Sequence, residues 1–220
     1  MQSRRKTWLF GGIALIVCGV LSVLRDSISL FPAAGLLVSI SVVADVVWAI
    51  GVMIFAIGFG REGSVVARKP LGVTAMCLVA VWPLVSAIVS TVLSTVLPVP
   101  VPDERWLMWG YAGALIPFAA GLIASVEIAR AGVVPSRWKW APMVALGLST
   151  LAWLLPQLVT VGAGASDAAN LVPLFSGLGT LSVLVSTFGL GIVATVLATR
   201  NRSGVVEIYT SQPTESTPSL

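Results

Sequence analysis

Asp45 is the residue whose type and position most directly suggest chemistry in this sequence. It is the only charged residue of the apolar stretch 36–60, which as a helix is long enough to cross the ~30 Å hydrocarbon layer of a bilayer. A carboxylate at mid-depth costs ~2.5 kcal/mol or more, so it needs a partner, a water-filled cavity or a proton. Because no Lys or Arg lies at a comparable depth in another apolar stretch, we expect Asp45 to be protonated at neutral pH.

Several polar side chains are expected near this carboxyl group because they share its helix face or its depth in the membrane. They are Ser41, Trp48, Ser86 and Ser182, with Tyr111 and Gln157 as secondary polar groups closer to the outer surface. Two interpretations remain open. Asp45 is either a proton or cation site in a transporter-like cavity, or a neutral carboxyl that joins helices by one hydrogen bond worth ~0.6–2 kcal/mol.

The composition indicates a membrane protein. Hydrophobic residues make up 57% of the 220 residues and charged residues only 10%, and the mean hydropathy is +0.99. Long continuous apolar runs exclude a β-barrel and predict an all-α, polytopic bundle of six transmembrane helices. The predicted spans are 7–24, 36–60, 71–96, 106–129, 141–161 and 173–199. The Ser/Thr/Pro-rich segment 203–220 follows this domain, 1–202, as a predicted disordered cytoplasmic tail.

The basic residues predict how the chain is threaded. With six spans, every Lys and Arg except Arg25 and Arg105 falls on one side of the membrane. The positive-inside rule places that side, and both termini, in the cytoplasm. The abundance of Ala, Gly and Val favours a bacterial source, so the predicted location is the bacterial plasma membrane, with the lipid bilayer as the first partner.

Absent residues and motifs narrow the function classes. There is no histidine, which removes histidine-ligated haem, the usual zinc and di-iron sites and any Ser–His or Cys–His pair. There is no Walker A loop, TVGYG, paired NPA, HExxH or GxSxG either. The basic residues fall in short clusters between the apolar runs, so they indicate how the chain is threaded through the membrane and do not indicate nucleic-acid binding. We therefore predict no catalytic residues, no metal, no cofactor, no nucleic acid and no enzyme activity.

A weak repeat runs through the chain. Arg61, Arg130 and Arg202, spaced by 69 and 72 residues, are each followed two residues later by a glycine and then by a pair of valines within a few residues. One interpretation is three pseudo-repeated helical hairpins in parallel orientation. The other is that topology demands the arginine and that the glycine is an ordinary helix C-cap.

Small residues and prolines recur inside the spans. Ser86, Ser90 and Ser94 are spaced by four residues, as are Gly113, Pro117 and Gly121. Such stripes let helix backbones approach closely, within one chain, in a homo-oligomer or against another membrane protein. The alternative interpretation is that they line a polar permeation path. The three prolines within spans, Pro83, Pro117 and Pro156, are expected to kink their helices.

The junction between the fourth and fifth spans carries a resemblance. In IARAGVVPSRWKWAPMVALGL, residues Arg130, Gly132, Pro135, Arg137 and Trp138 form a pattern similar to one in uncharacterised six-span actinobacterial integral membrane proteins of unknown function. The resemblance implies a six-span fold and no site residue.

Two function hypotheses follow for this multi-pass integral membrane protein. It is a small transporter or transporter subunit with a protonatable Asp45, or a structural or regulatory protein that acts through helix–helix contacts with a partner. An enclosed polar cavity that reaches Asp45 favours the first hypothesis. A solid bundle with an exposed small-residue face favours the second.

Overall fold

The structure is a computed structural model that describes residues 2–28, 34–59, 64–67, 69–96, 104–163 and 171–200. Within these residues it contains six helices: α1 Gln2–Ile28, α2 Ala34–Ile57, α3 Pro70–Val96, α4 Glu104–Ala131, α5 Ala141–Ala163 and α6, which is built from Val172–Leu184, a π-helical turn Val185–Gly189 and Leu190–Arg200. All six are long and apolar enough to cross a membrane. The predicted fold class, an all-α bundle of six helices, is confirmed, and these are the helices of a multi-pass membrane protein.

The helices extend beyond the apolar runs that reveal them in the sequence. Helix α1 begins at Gln2, ahead of the predicted span 7–24, and ends at Ile28. Hydropathy detects only the part of a helix inside hydrocarbon, whereas backbone hydrogen bonding continues through polar residues at the headgroups. The predicted tail 203–220 lies outside the described residues, as do Arg61 and Arg202 of the proposed repeat, so both remain predictions.

The six helices form a ring in sequence order. Each helix packs against the one before it and the one after it, and α6 returns to pack against α1. Short connections between antiparallel neighbours produce this arrangement. A ring of six helices leaves a central space that side chains must fill or leave open.

One end of the ring, which we call the basic end, carries the start of α1, the end of α4 and the connection from α4 to α5. The Arg4 guanidinium donates a hydrogen bond to the carbonyl oxygen of Val133. The Glu127 carboxylate is 92% buried and lies 3.4 Å from Lys69 Nζ and 3.8 Å from Arg130. These contacts join α1, α3, α4 and the α4–α5 connection at one level.

The segment 64–67 folds inward under the basic end. Ser64 Oγ donates to the carbonyl oxygen of Ala56 at 2.6 Å, and Val65 N donates to Phe55 O at 3.1 Å. These carbonyls belong to the last turn of α2, where the helix supplies no donor of its own. The Val66 side chain is thereby fully buried against α3.

The buried apolar core lies in the half of the ring nearest the basic end. The side chains that form it are Trp8, Leu15, Val52, Ala56, Val65, Val66, Ala75, Met76, Ala80, Ala124, Ile128, Ala194 and Ala198. They come from α1, α2, the segment 64–67, α3, α4 and α6. Helix α5 contributes none of them, so it is the helix least tied into the core.

The ring is closed by a glycine contact between α1 and α6. A Cβ built on Gly191 would lie 2.9 Å from Gly12 O and 2.8 Å from Ile16 Cγ1, and a Cβ on Gly12 would lie 2.9 Å from Gly191 O. The two backbones therefore touch directly, which is the arrangement that small residues permit between membrane helices.

Candidate functional site

The ring encloses a cavity of about 910 Å³. All six helices contribute to its wall, together with Val65 from the inward-folded segment and residues of the α4–α5 connection. This volume lies at the upper end of the ~300–1,000 Å³ that is typical of small-molecule sites. The cavity is therefore a candidate site for a small molecule.

The cavity is elongated along the helices. Its wall on α3 runs from Met76, beside the core, to Ser90 in the other half of the helix. Fourteen residues of α-helix correspond to ~21 Å, which exceeds the ~15 Å thickness of one leaflet's hydrocarbon. The space is therefore long enough for an extended chain lying parallel to the helices.

The lining is apolar and aromatic, with scattered hydroxyl groups. Five tryptophans reach it: Trp8, Trp48, Trp109, Trp138 and Trp153. Six hydroxyl side chains also reach it: Ser86, Ser90, Ser125, Ser149, Thr150 and Ser186. No charged side chain belongs to the described lining. The site suits a ligand with a large apolar body and few hydrogen-bonding groups, and it offers no charge to a free ion.

Two polar groups in this wall are available to a ligand. The Ser86 and Ser90 hydroxyls, one turn apart on α3, make no hydrogen bond to any residue that the structure describes. At the other end, the buried Trp8 Nε1 has no acceptor among the described residues, but the atom has no accessible surface through which a ligand in the cavity could contact it.

Two tryptophans fix the α2–α3–α4 wall by donating to the backbone of the next helix. Trp48 Nε1 donates to Val79 O at 3.4 Å, and Trp82 Nε1 donates to Gly113 O at 3.1 Å. The Trp82 ring also stacks on Trp109, with 5.9 Å between ring centroids and 25° between their planes. The first half of α4 is thereby held against α3.

The opposite wall is fixed by hydroxyl groups and by the π-helical turn. Ser182 Oγ donates to Ser149 Oγ at 2.8 Å, which joins α6 to α5. Within the π-turn, Ser186 faces the cavity while Thr187 and Phe188 pack against Gly19 of α1. Single π-turns inside helices are frequent at functional sites.

The predicted site residues are distributed over several places. Trp48 and Ser86 line the cavity. Ser182 is bonded to Ser149, and the Ser41 hydroxyl donates to the Leu37 carbonyl of its own helix. Among the residues that the structure describes as lining, Asp45, Tyr111 and Gln157 do not occur, and the last two are exposed on the surface of the ring.

Asp45 faces the seam between α2 and α1. It is partly buried, next to the buried Ala44, and makes no hydrogen bond or ion pair within the described residues. Cys18 and Arg25 of α1 are the ionisable side chains near it. Arg25 lies close to the end of α1, outside the predicted span 7–24, so counting depth within the apolar runs does not find it.

The sequence contained signals for part of this cavity. Ser86 and Ser90 belong to the four-residue serine stripe, and Gly113, Pro117 and Gly121 of the parallel stripe on α4 also line the cavity. The stripes therefore mark the cavity wall in the structure. The Trp82–Trp109 stack and the Ser149–Ser182 bond join different helices, and spacing within one helix carries no information about them.

No group of three or more His, Cys, Asp or Glu side chains that could hold a metal ion occurs in the described parts of the chain. Comparisons with protein-family models, with curated proteins and with solved structures find no match to this chain.

Proposed function

We propose that this membrane protein binds a hydrophobic or amphipathic molecule in the cavity of its helical ring and acts as a small transporter for it. The observation that carries the proposal is the cavity of about 910 Å³, which is walled by six apolar helices and contains no charged lining side chain among the described residues. Such a space excludes small ions by their desolvation cost and accepts apolar surface.

The polar groups in the wall set the expected ligand chemistry. A single alkyl or acyl chain fits the ~21 Å length that Met76 and Ser90 mark on α3. Hydroxyl, ester or phosphate oxygens can hydrogen-bond to Ser86 and Ser90, because serine both donates and accepts. The ligand class is therefore a single-chain amphiphile with an oxygen-rich polar group.

The binding test uses the whole protein in lipid nanodiscs and a single-chain phospholipid with a fluorescent conjugated polyene chain. Energy transfer from tryptophan reports binding, since five tryptophans line the cavity. We expect a saturable component that excess unlabelled single-chain phospholipid displaces, above a linear background from probe in the bilayer. An energy-transfer signal that rises only linearly with probe concentration would contradict the proposal.

The Ser86→Ala/Ser90→Ala variant tests the polar contact. Each lost hydrogen bond is worth about 0.5–1.5 kcal/mol, so we expect roughly tenfold weaker binding of the phospholipid probe. A ligand with the same chain and no polar group should bind the variant as it binds the wild type. Ser94→Ala is the matched control, because Ser94 is an exposed serine of the same stripe, bonded to Thr91 O and outside the described lining. An equal loss in the control would contradict a specific contact.

Asp45 is proposed as a proton or cation site that energises uptake. Asp45 lies outside the described cavity lining, so the cavity does not reach it directly, and its link to the cavity is helix α2, on which Trp48 and Val52 line the wall. We expect Asp45→Asn to remove the response of ligand uptake into vesicles to an imposed pH gradient. Asp26→Asn is the control, since Asp26 pairs with Arg25 at 3.0 Å at the end of α1. An unchanged response in Asp45→Asn would eliminate this role.

The other hypothesis, a non-catalytic structural or regulatory protein that binds a membrane partner or a second copy, remains a prediction. Five of the six residues in the stripes that prompted it line the cavity, and Ser94 is the exception. We also keep three proposals from the sequence: the protein has no enzyme activity, it lies in a bacterial plasma membrane, and both of its termini are cytoplasmic.

A further inference from the structure

The exposed residues of the cavity wall occupy one side of the ring. They are Gly110, Leu115, Phe118, Trp138, Trp153 and Leu154. All six belong to α4, to α5 or to the connection between them. The described lining residues on α1, α2, α3 and α6 are buried or only partly exposed. The exposed part of the cavity wall therefore follows the α4–α5 side of the ring, from Trp138 at the basic end to Gly110 in the other half.

The seam between α4 and α5 is the sparsest of the contacts between neighbouring helices in the ring. Helix α5 supplies no residue to the buried core cluster, so α4 and α5 are not joined through the core. Near the basic end the two helices do touch, because a Cβ on Gly121 would lie 2.9 Å from Leu146 Cδ1. Farther from that end, a Cβ on Gly110 or Gly113 would meet no atom within 4 Å.

The two helices that form the seam, α4 and α5, are each held by the neighbouring helix on their other side. On one side, Trp82 bonds Gly113 O and stacks on Trp109, which holds α4 against α3. On the other side, the Ser149–Ser182 bond holds α5 against α6. In this region α4 and α5 are thus held to their other neighbours by these contacts. Pro117 of α4 lies within this region and removes a backbone hydrogen bond from its helix, which allows bending there.

We propose that the α4–α5 seam is a lateral portal through which the acyl chain of a single-chain membrane lipid enters the cavity directly from the bilayer. The inference rests on the proposed function and adds the source of the ligand and its route. We call the opening of this portal the mouth; it lies between the α4 residues Gly110 to Phe118 and the α5 residues Trp153 and Leu154. The mouth is at hydrocarbon depth, in the half of the ring away from the basic end. The leaflet that supplies the lipid is the one opposite the basic end.

The mouth has the chemistry of a lipid entrance. Its exposed groups are the aliphatic side chains Leu115 and Leu154, the aromatic side chains Phe118 and Trp153, and Gly110. None of them carries a charge, so an acyl chain that slides through this opening sheds no water and displaces no ion. Behind the mouth, Ser86 and Ser90 offer hydrogen bonds to a polar group that follows the chain inward.

The experiment blocks the mouth with a bulky thiol reagent. The background variant is Cys18→Ala/Cys77→Ala, which removes both native thiols. In this background, Phe118→Cys places a single thiol on the α4 side of the mouth and Leu154→Cys places one on the α5 side. The control, Ile88→Cys, places a thiol on the exposed outer face of α3. Each protein is labelled with a large maleimide in detergent under alkaline conditions, which favour the reactive thiolate, and complete labelling is confirmed by intact mass. It is then reconstituted into nanodiscs and tested for the saturable binding of the polyene phospholipid. Each is measured before and after labelling, so every variant serves as its own folding control.

We expect labelling at Phe118→Cys and Leu154→Cys to abolish the saturable signal, and labelling at Ile88→Cys to leave it unchanged. If all three labelled proteins bind the phospholipid as before, the portal proposal is wrong, while the proposed binding function stands. If the unlabelled cysteine-free protein shows no saturable binding, the proposed function itself fails. If labelling abolishes binding in all three, the loss is not specific to the mouth and the portal is again rejected.

Discussion

Gly113→Trp should abolish lipid binding and leave the protein as stable as the wild type, or more stable. Gly113 lines the cavity, and a Cβ built on it meets no atom within 4 Å. A bulky side chain at this position occupies the space that the ligand needs. We expect at least a tenfold loss of affinity for the polyene phospholipid, about 1.4 kcal/mol. Filling an open apolar space commonly adds about 0.5–2 kcal/mol of stability, so the thermal midpoint should not fall.

Gly177→Trp is the matched control for this variant. Gly177 is also a helical glycine with open space around its Cβ position, but it lies on α6 outside the described lining. We expect Gly177→Trp to bind the probe with wild-type affinity. Gly110→Trp, one turn before Gly113 on the same face of α4, should repeat the loss. Wild-type binding by both Gly113→Trp and Gly110→Trp would show that the ligand does not occupy this cavity.

Gly191→Ala should lower the stability of the protein. The added Cβ would lie 2.8 Å from Ile16 Cγ1 and 2.9 Å from Gly12 O, and the backbone oxygen cannot move unless α1 and α6 separate. Overpacking of this kind costs about 1–3 kcal/mol. Because this contact closes the ring, we expect a lower thermal midpoint together with weaker ligand binding.

Gly179→Ala, on the same helix, separates the packing effect from the effect of alanine itself. A Cβ on Gly179 meets no atom within 4 Å, and replacing glycine in a helix gains up to about 1 kcal/mol. Thermal unfolding in the same detergent compares the two variants. The close α1–α6 contact would be disproved by a Gly191→Ala protein that unfolds at the same temperature as Gly179→Ala.

The sequence predicts the helices well because length and hydropathy are local properties. Six apolar runs, each long enough to cross a bilayer, give six helices, but their ends differ from the predicted spans: α1 begins earlier, at Gln2, and α2 ends earlier, at Ile57 instead of 60. The ring order was not predicted. It depends on the contact between Gly12 and Gly191, which are far apart in the chain and become neighbours only in the folded bundle.

The candidate site was predicted in part. Trp48 and Ser86 were proposed as neighbours of Asp45, and both line the cavity, whereas Asp45 faces α1. Depth along a helix can be counted from its ends, but rotation about the helix axis depends on which helices become neighbours. Ser182 illustrates this, since it lies at the expected depth and pairs with Ser149 across the α5–α6 contact.

The measurement that tests the central claim most directly is a map of photolabelled residues. A single-chain phospholipid with a diazirine at the end of its acyl chain is added to the wild-type protein in nanodiscs, irradiated, and located by peptide mass spectrometry. Leu15, Val52 and Ala194 line the cavity and are at least 93% buried, so bilayer lipid outside the ring cannot reach them. We predict labels on these residues, and their loss in Gly113→Trp. Labels confined to outward-facing residues such as Val38, Ile88 and Leu174 would contradict the account.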